Sequence, residues 1–137
     1  TGLGGIFRES IWYPRDDAKA KAAFASPEAL RRHMKPGDRW RDGVSLRHRT
    51  SIFPSEVQAL AERRVDMLVT HEAPSWHDHG FVAIDDLAIR MQARWLVHGH
   101  HHQDIDYQAS RHRLRKPTGC PVNAYGVDQG SFIALPR

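Results

Sequence analysis

Apolar residues recur along this chain at two different spacings, and the alternation between them outlines an α/β protein. Residues 83–92 place Ile84, Leu87, Ala88 and Met91 at the i, i+3, i+4, i+7 positions of one helical face. Shorter apolar runs at 65–69 and 95–97 lack that period and suit buried strands on either side of the helix. The strand, helix, strand series covers about thirty residues, the size of a βαβ unit, so its strands are expected to be parallel and adjacent or near neighbours.

Capping and turn residues add the remaining elements. Ser26-Pro27-Glu28 combines a cap residue, a proline for the first helical position and an acid in the first turn, with Leu30 and Met34 one turn apart. That helix should stop near Lys35-Pro36-Gly37. Pro54-Ser55-Glu56 starts a second helix with Val57, Leu60 and Ala61 on its apolar side. The Gly-rich run 3–7 reads as an opening strand, and the Arg-rich stretch 38–49 as a surface loop. Residues 105–109, 122–127 and 131–135 read as further strands, the last two forming a hairpin about Asp128-Gln129-Gly130. Val65, Leu68, Leu87, Met91, Leu96 and Val97 are the expected core.

Composition narrows the class. At 137 residues, 40% of them hydrophobic, without repeats or a flexible linker, the chain is read as one domain over residues 1–137. No apolar run is long enough to span a bilayer, so no membrane partner is expected. A single cysteine, Cys120, excludes an intramolecular disulfide and fits a reducing, cytoplasmic setting. The net charge of +4 is concentrated in residues 31–49 and 111–116 and favours anionic substrates or partners, although such runs ordinarily face water. The chain starts with Thr1-Gly2-Leu3, with neither Met nor a basic leader, and is expected to begin within a longer protein.

The chemistry lies at strand ends. Val97-His98-Gly99-His100-His101-His102 follows the second strand of the βαβ unit, and His71 lies just beyond the first. An internal glycine and the Trp-Leu-Val lead-in argue against an expression tag. Parallel neighbours share one C-terminal edge, so His71, His100 and His102 are expected to converge there. Neutral imidazoles ligate Zn, Mn and Fe, but three nitrogens leave the coordination shell incomplete. His98, Asp78, His79 and Asp104 are the candidates to complete it, while Asp85 and Asp86 are expected on the outer face of their helix. His77 and His79 either contact substrate or cap that helix. His33, His48 and His112 are read as surface or capping residues. Arg8, Arg47 and Arg49 read as solvated, with phosphate clamping as the alternative. Trp12, Trp40 and Trp76 read as packing residues, with base stacking as the alternative.

Val69-Thr70-His71-Glu72-Ala73-Pro74 and Gly99-His100-His101-His102 resemble the fourth and fifth motifs of the calcineurin-like metallophosphoesterases. The resemblance covers mainly residues 65–135 and implies part of a two-sheet αββα sandwich with mixed sheets. It also implies two divalent ions, Mn, Fe or Zn, with His71 and His100 on one, His102 on the other and His101 variable. The family's Asp-x-His, Gly-Asp-x-x-Asp and Gly-Asn-His-Glu/Asp motifs are absent from this chain, which is therefore similar to the family's C-terminal half. A phosphate-ester substrate is implied, with His79 as a substrate contact. The missing N-terminal half, or self-association, is expected to cover an exposed apolar edge. The function so implied is a phosphatase or phosphodiesterase. The rival is a catalytically inactive metal- or polyanion-binding module whose basic segments dock nucleic acid.

Overall fold

A computed structural model describes residues 1–109, 116–117 and 119–135 of the protein. Strands β1 (Gly2–Leu3), β2 (Met67–Thr70), β3 (Trp95–His98), β4 (Ile105–Asp106) and β5 (Asn123–Gly126) form one sheet. The spatial order is β1-β2-β3-β5-β4. β1, β2, β3 and β5 run parallel, and β4 closes the edge antiparallel to β5. Helices α1 (Pro27–His33), α2 (Pro54–Ala61) and α3 (Val82–Arg90) fill the connections. Among the described residues no helix is long and apolar enough to cross a membrane.

The helices form where local chemistry favours them. Ser26 Oγ accepts from the Ala29 amide at 3.1 Å, satisfying an otherwise orphaned donor of α1, an arrangement worth about 1 kcal/mol. Glu56 accepts from the Phe53 amide at 2.9 Å at the start of α2. Ile84, Leu87, Ala88 and Met91 are all buried, as the period of α3 requires.

Each step β1→β2, β2→β3 and β3→β5 moves to the adjacent parallel position in the same direction. Right-handed crossovers then place α1, α2 and α3 on one face. Leu68, Leu96 and Ala124 lie in register on that face and join the core with Ile84, Leu87 and Val57. Val69 and Val97 point the other way: Val69 is 46% exposed and Val97 half-buried. Val97 is therefore not core, because the helices cover the opposite face. Val65, just before β2, is also only half-buried against the core.

Other expected boundaries shift for tertiary reasons. The opening strand is shorter than residues 3–7, because Gly5 turns the chain at φ 94° and Ile6 then bridges to Ser51. A Cβ on Gly5 would sit 2.7 Å from the Thr50 carbonyl oxygen, so the turn requires glycine. Residues 38–49 are not wholly irregular, since a 3₁₀ turn spans Leu46–Thr50. Residues 105–109 narrow to the two-residue β4, after which Tyr107 turns into the core. The expected hairpin is absent: residues 131–135 form no strand. Both edges of β5 are already paired, with β3 and β4, so no ladder remains for that segment to join. Asp104 instead accepts from the Asp128 amide and Ser131 Oγ, each at 2.9 Å, and holds the chain aside.

Candidate metal centre

The site is built where β2 and β3 leave the sheet. Past Thr70, the His71 amide donates to the Leu3 carbonyl at 3.1 Å, and Thr70 Oγ1 donates to the Glu72 carbonyl at 2.7 Å. This turns Glu72 inward, where its side chain is 4% exposed and Oε1 accepts from the Phe7 amide at 3.1 Å. Past His98, the Gly99 amide donates to the Thr70 carbonyl, and His100 and His102 adopt left-handed φ values of 68° and 49°. The three consecutive histidines consequently aim in different directions, whereas a regular strand would put His100 and His102 on one face.

His100 turns toward β2. Its ring centroid lies 4.4 Å from that of His71, and its Nδ1 lies 3.2 Å from Glu72 Oε2. His71, Glu72 and His100 each offer a ligand atom within 4.8 Å of the others. Burial raises the Glu72 pKa, while the Phe7 amide and the nearby His71 oppose that rise. A divalent cation would offset the cost of keeping this carboxylate charged, and two imidazoles with one carboxylate suit Mn, Fe or Zn.

His101 turns away and stacks on His77 with centroids 3.9 Å apart. His71, His100, His101 and His77 thus form a file of imidazoles with successive spacings of 4.4, 4.8 and 3.9 Å. Burial, followed by the charges of His77 and the neighbouring histidines, lowers His101 to about 4, which keeps it neutral at pH 7. His102 stands apart from the metal group, exposed, with Nδ1 3.8 Å from Asp128 Oδ1. His98 uses both ring nitrogens within the protein. Its Nδ1 lies 2.9 Å from the Gly99 carbonyl, which can only accept, so Nε2 accepts from the Tyr107 hydroxyl at 2.7 Å. Burial holds this imidazole down at about 4.

Residues 73–81 form the opposite wall. The His77 amide donates to the Pro74 carbonyl, the Gly80 amide to the His77 carbonyl, and the His79 amide to His77 Nδ1 at 3.1 Å. Neither histidine caps α3, whose N-cap is Phe81. Asp85 is not on the outer face of α3 as the sequence suggests. It is 5% exposed, and its carboxylate accepts from both the amide and the hydroxyl of Ser75. The loop folds over the first turns of α3 and widens the buried face to include Asp85. Asp86 stays partly exposed, 3.5 Å from Arg90. A cavity of about 360 Å³ opens between the walls, with Tyr13, Glu72, His79, His100 and His101 carrying its polar groups and Phe7 and Phe81 among its apolar sides.

No protein-family model matches the chain, and no solved structure matches it. An uncharacterized protein from Haemophilus influenzae is 43% identical over 108 residues, which make up 79% of this chain and 46% of that relative. The chain thus spans about half the length of the curated relative it matches.

Among the sequence-predicted residues, the fold brings His71 and His100 together and lines the adjoining cavity with His79. His102, Asp78, His98 and Asp104 lie outside the metal group. Glu72 and His101 are members of the site that sequence reasoning missed. The available signal for Glu72 was its place directly after His71. Its inward turn depends on Phe7, 65 residues away.

Proposed function

We propose that this chain forms the histidine side of the catalytic centre of a metal-dependent phosphoester hydrolase, a phosphatase or phosphodiesterase. The observation that carries the reading is the convergence of His71 and His100, from the ends of adjacent parallel strands, on the buried carboxylate of Glu72. Their order along the chain and their position at a strand-end edge support it as well. A divalent ion held by these three residues would supply Lewis acidity toward a phosphoryl oxygen.

The chain's own groups then have distinct tasks. His71 and His100 present imidazole nitrogens, and Glu72 supplies the charge that balances a cation. His79 faces the cavity that would receive the phosphoester, and Phe7 and Phe81 restrict water on the apolar sides. His102 is assigned to a second ion, completed by carboxylates from the rest of a longer polypeptide. The same additional length would supply the second sheet of an αββα sandwich. Two facts support that assignment: a mixed sheet whose described helices pack on one face, and a relative about twice as long as the matched region.

Calorimetric titration with Mn²⁺ of the wild type, His71→Ala and His100→Ala tests the reading. One weak site should appear in the wild type and disappear in each variant. Equal Mn²⁺ uptake by all three proteins would rule it out. Turnover of bis(p-nitrophenyl) phosphate should be slow in the wild type and absent in His100→Ala.

A further inference from the structure

Away from the metal centre, the connection between α1 and α2 carries a second concentration of chemistry. Residues 31–49 contain six arginines and Lys35 against only Asp38 and Asp42. Glu28 engages Arg31 and Arg32. Among the described residues, Arg41, Arg47 and Arg49 form no ion pair. Their charge therefore faces solvent without local compensation.

An aromatic surface lies within this charge. Trp40 is 40% exposed, and the Arg41 guanidinium lies 5.5 Å from its ring centroid. Pro27, Trp40, Arg41, Gly43, Val44 and Arg49 enclose a cleft of about 330 Å³, mostly apolar, with the two guanidinium groups as its charges. The carboxylates of an acidic peptide or the phosphates of an anionic membrane would use the charge, but these groups carry no aromatic ring to stack on the indole. A nucleic-acid strand supplies both, because each base can stack on an aromatic ring while the phosphates pair with arginines.

The basic track continues toward the metal cavity. Arg49 precedes Thr50, whose hydroxyl accepts from Arg8 Nη2 at 3.3 Å and whose carbonyl accepts from the Ile6 amide at 2.8 Å. Ile6 itself lines the cavity that contains Glu72 and His100. Arg8 and Arg47 converge on His48, whose pKa is lowered by burial first and by these two charges next.

We propose that the Trp40–Arg41–Arg49 cleft binds single-stranded nucleic acid, with a base on Trp40, phosphates on Arg41 and Arg49, and the strand running past Arg8. This goes beyond the hydrolase reading and does not require metal, so it is tested in EDTA, where failure of the metal centre has no effect. Fluorescence anisotropy with a labelled fifteen-residue oligothymidylate at two salt concentrations measures it. An abasic oligomer of the same length, thymidine monophosphate and heparin serve as competitors.

The oligothymidylate should outcompete all three. Trp40→Ala should weaken binding about tenfold and remove the preference over the abasic strand, and Trp40→Phe should restore most of it. Arg41→Ala with Arg49→Ala should reduce the slope of log affinity against log salt by about 1.4. That double variant also decides the matter if Trp40→Ala does not fold. Unchanged affinity in these variants would overturn the proposal. So would equal competition by heparin or the abasic strand, which marks a general polyanion surface, or by the mononucleotide, which marks a nucleotide pocket.

Discussion

Glu72 Oε2 lies 3.2 Å from His100 Nδ1, while Oε1 of the same carboxylate accepts from the Phe7 amide. One buried side chain thus joins the turn after β1 to the histidine beyond β3. Glu72→Gln keeps an oxygen for Phe7 and removes the charge. It should weaken Mn²⁺ binding at least about tenfold, in the range seen when groups supporting a metal site are lost, and leave the melting temperature unchanged or slightly raised. Calorimetry and thermal denaturation read the two effects separately. An unaltered Mn²⁺ affinity would remove Glu72 from the site.

Asp85 makes stability depend on pH. Burial raises its pKa from 3.8 to about 6, against the opposing hydrogen bonds from Ser75. Between these values the folded state binds the proton more readily than the unfolded state. The contribution is therefore full below about pH 4 and is lost as pH rises through about 6, with a ceiling of roughly 3 kcal/mol. Urea denaturation at pH 5 and pH 7 should show this component in the wild type and not in Asp85→Asn. Parallel pH profiles for the two proteins would refute it.

Gly80 closes the loop that carries His77 and His79. A methyl group there would overlap the Pro74 carbonyl, which is backbone and cannot rotate away. Gly80→Ala should destabilise the protein by about 2–4 kcal/mol and disturb the wall facing Glu72. A melting temperature within a degree of wild type would show that the loop yields more easily than its packing implies.

The two faces of β2 should respond differently to the same kind of change. Leu68 is fully buried beneath the helices, so Leu68→Ala should cost about 2–5 kcal/mol. Val69 is its neighbour, points away from the helices and is 46% exposed, so Val69→Ala should cost less than about 1 kcal/mol. Similar losses at both positions would mean that the second face is covered in solution, and sedimentation would then reveal whether another copy covers it.

Local pattern alone was enough for much of this protein. Ser26 marks the start of α1, the spacing of Ile84, Leu87, Ala88 and Met91 defines the buried side of α3, and the strands flanking α3 are parallel neighbours as expected. These features rest on capping, periodicity and crossover handedness, which act within short stretches. The same rules placed His71 and His100 at one sheet edge. Only the tertiary structure decided which groups meet there. Glu72 turns inward to a backbone amide 65 residues earlier, and Asp85 is buried by a loop ten residues before it. His102 is separated from His100 by left-handed backbone and lies near Asp128. Residues 131–135 were left without a strand partner because β3 and β4 already occupy both edges of β5. Each of these outcomes depends on a partner distant in sequence or on competition for one hydrogen-bonding edge, and neither leaves a periodic trace along the chain.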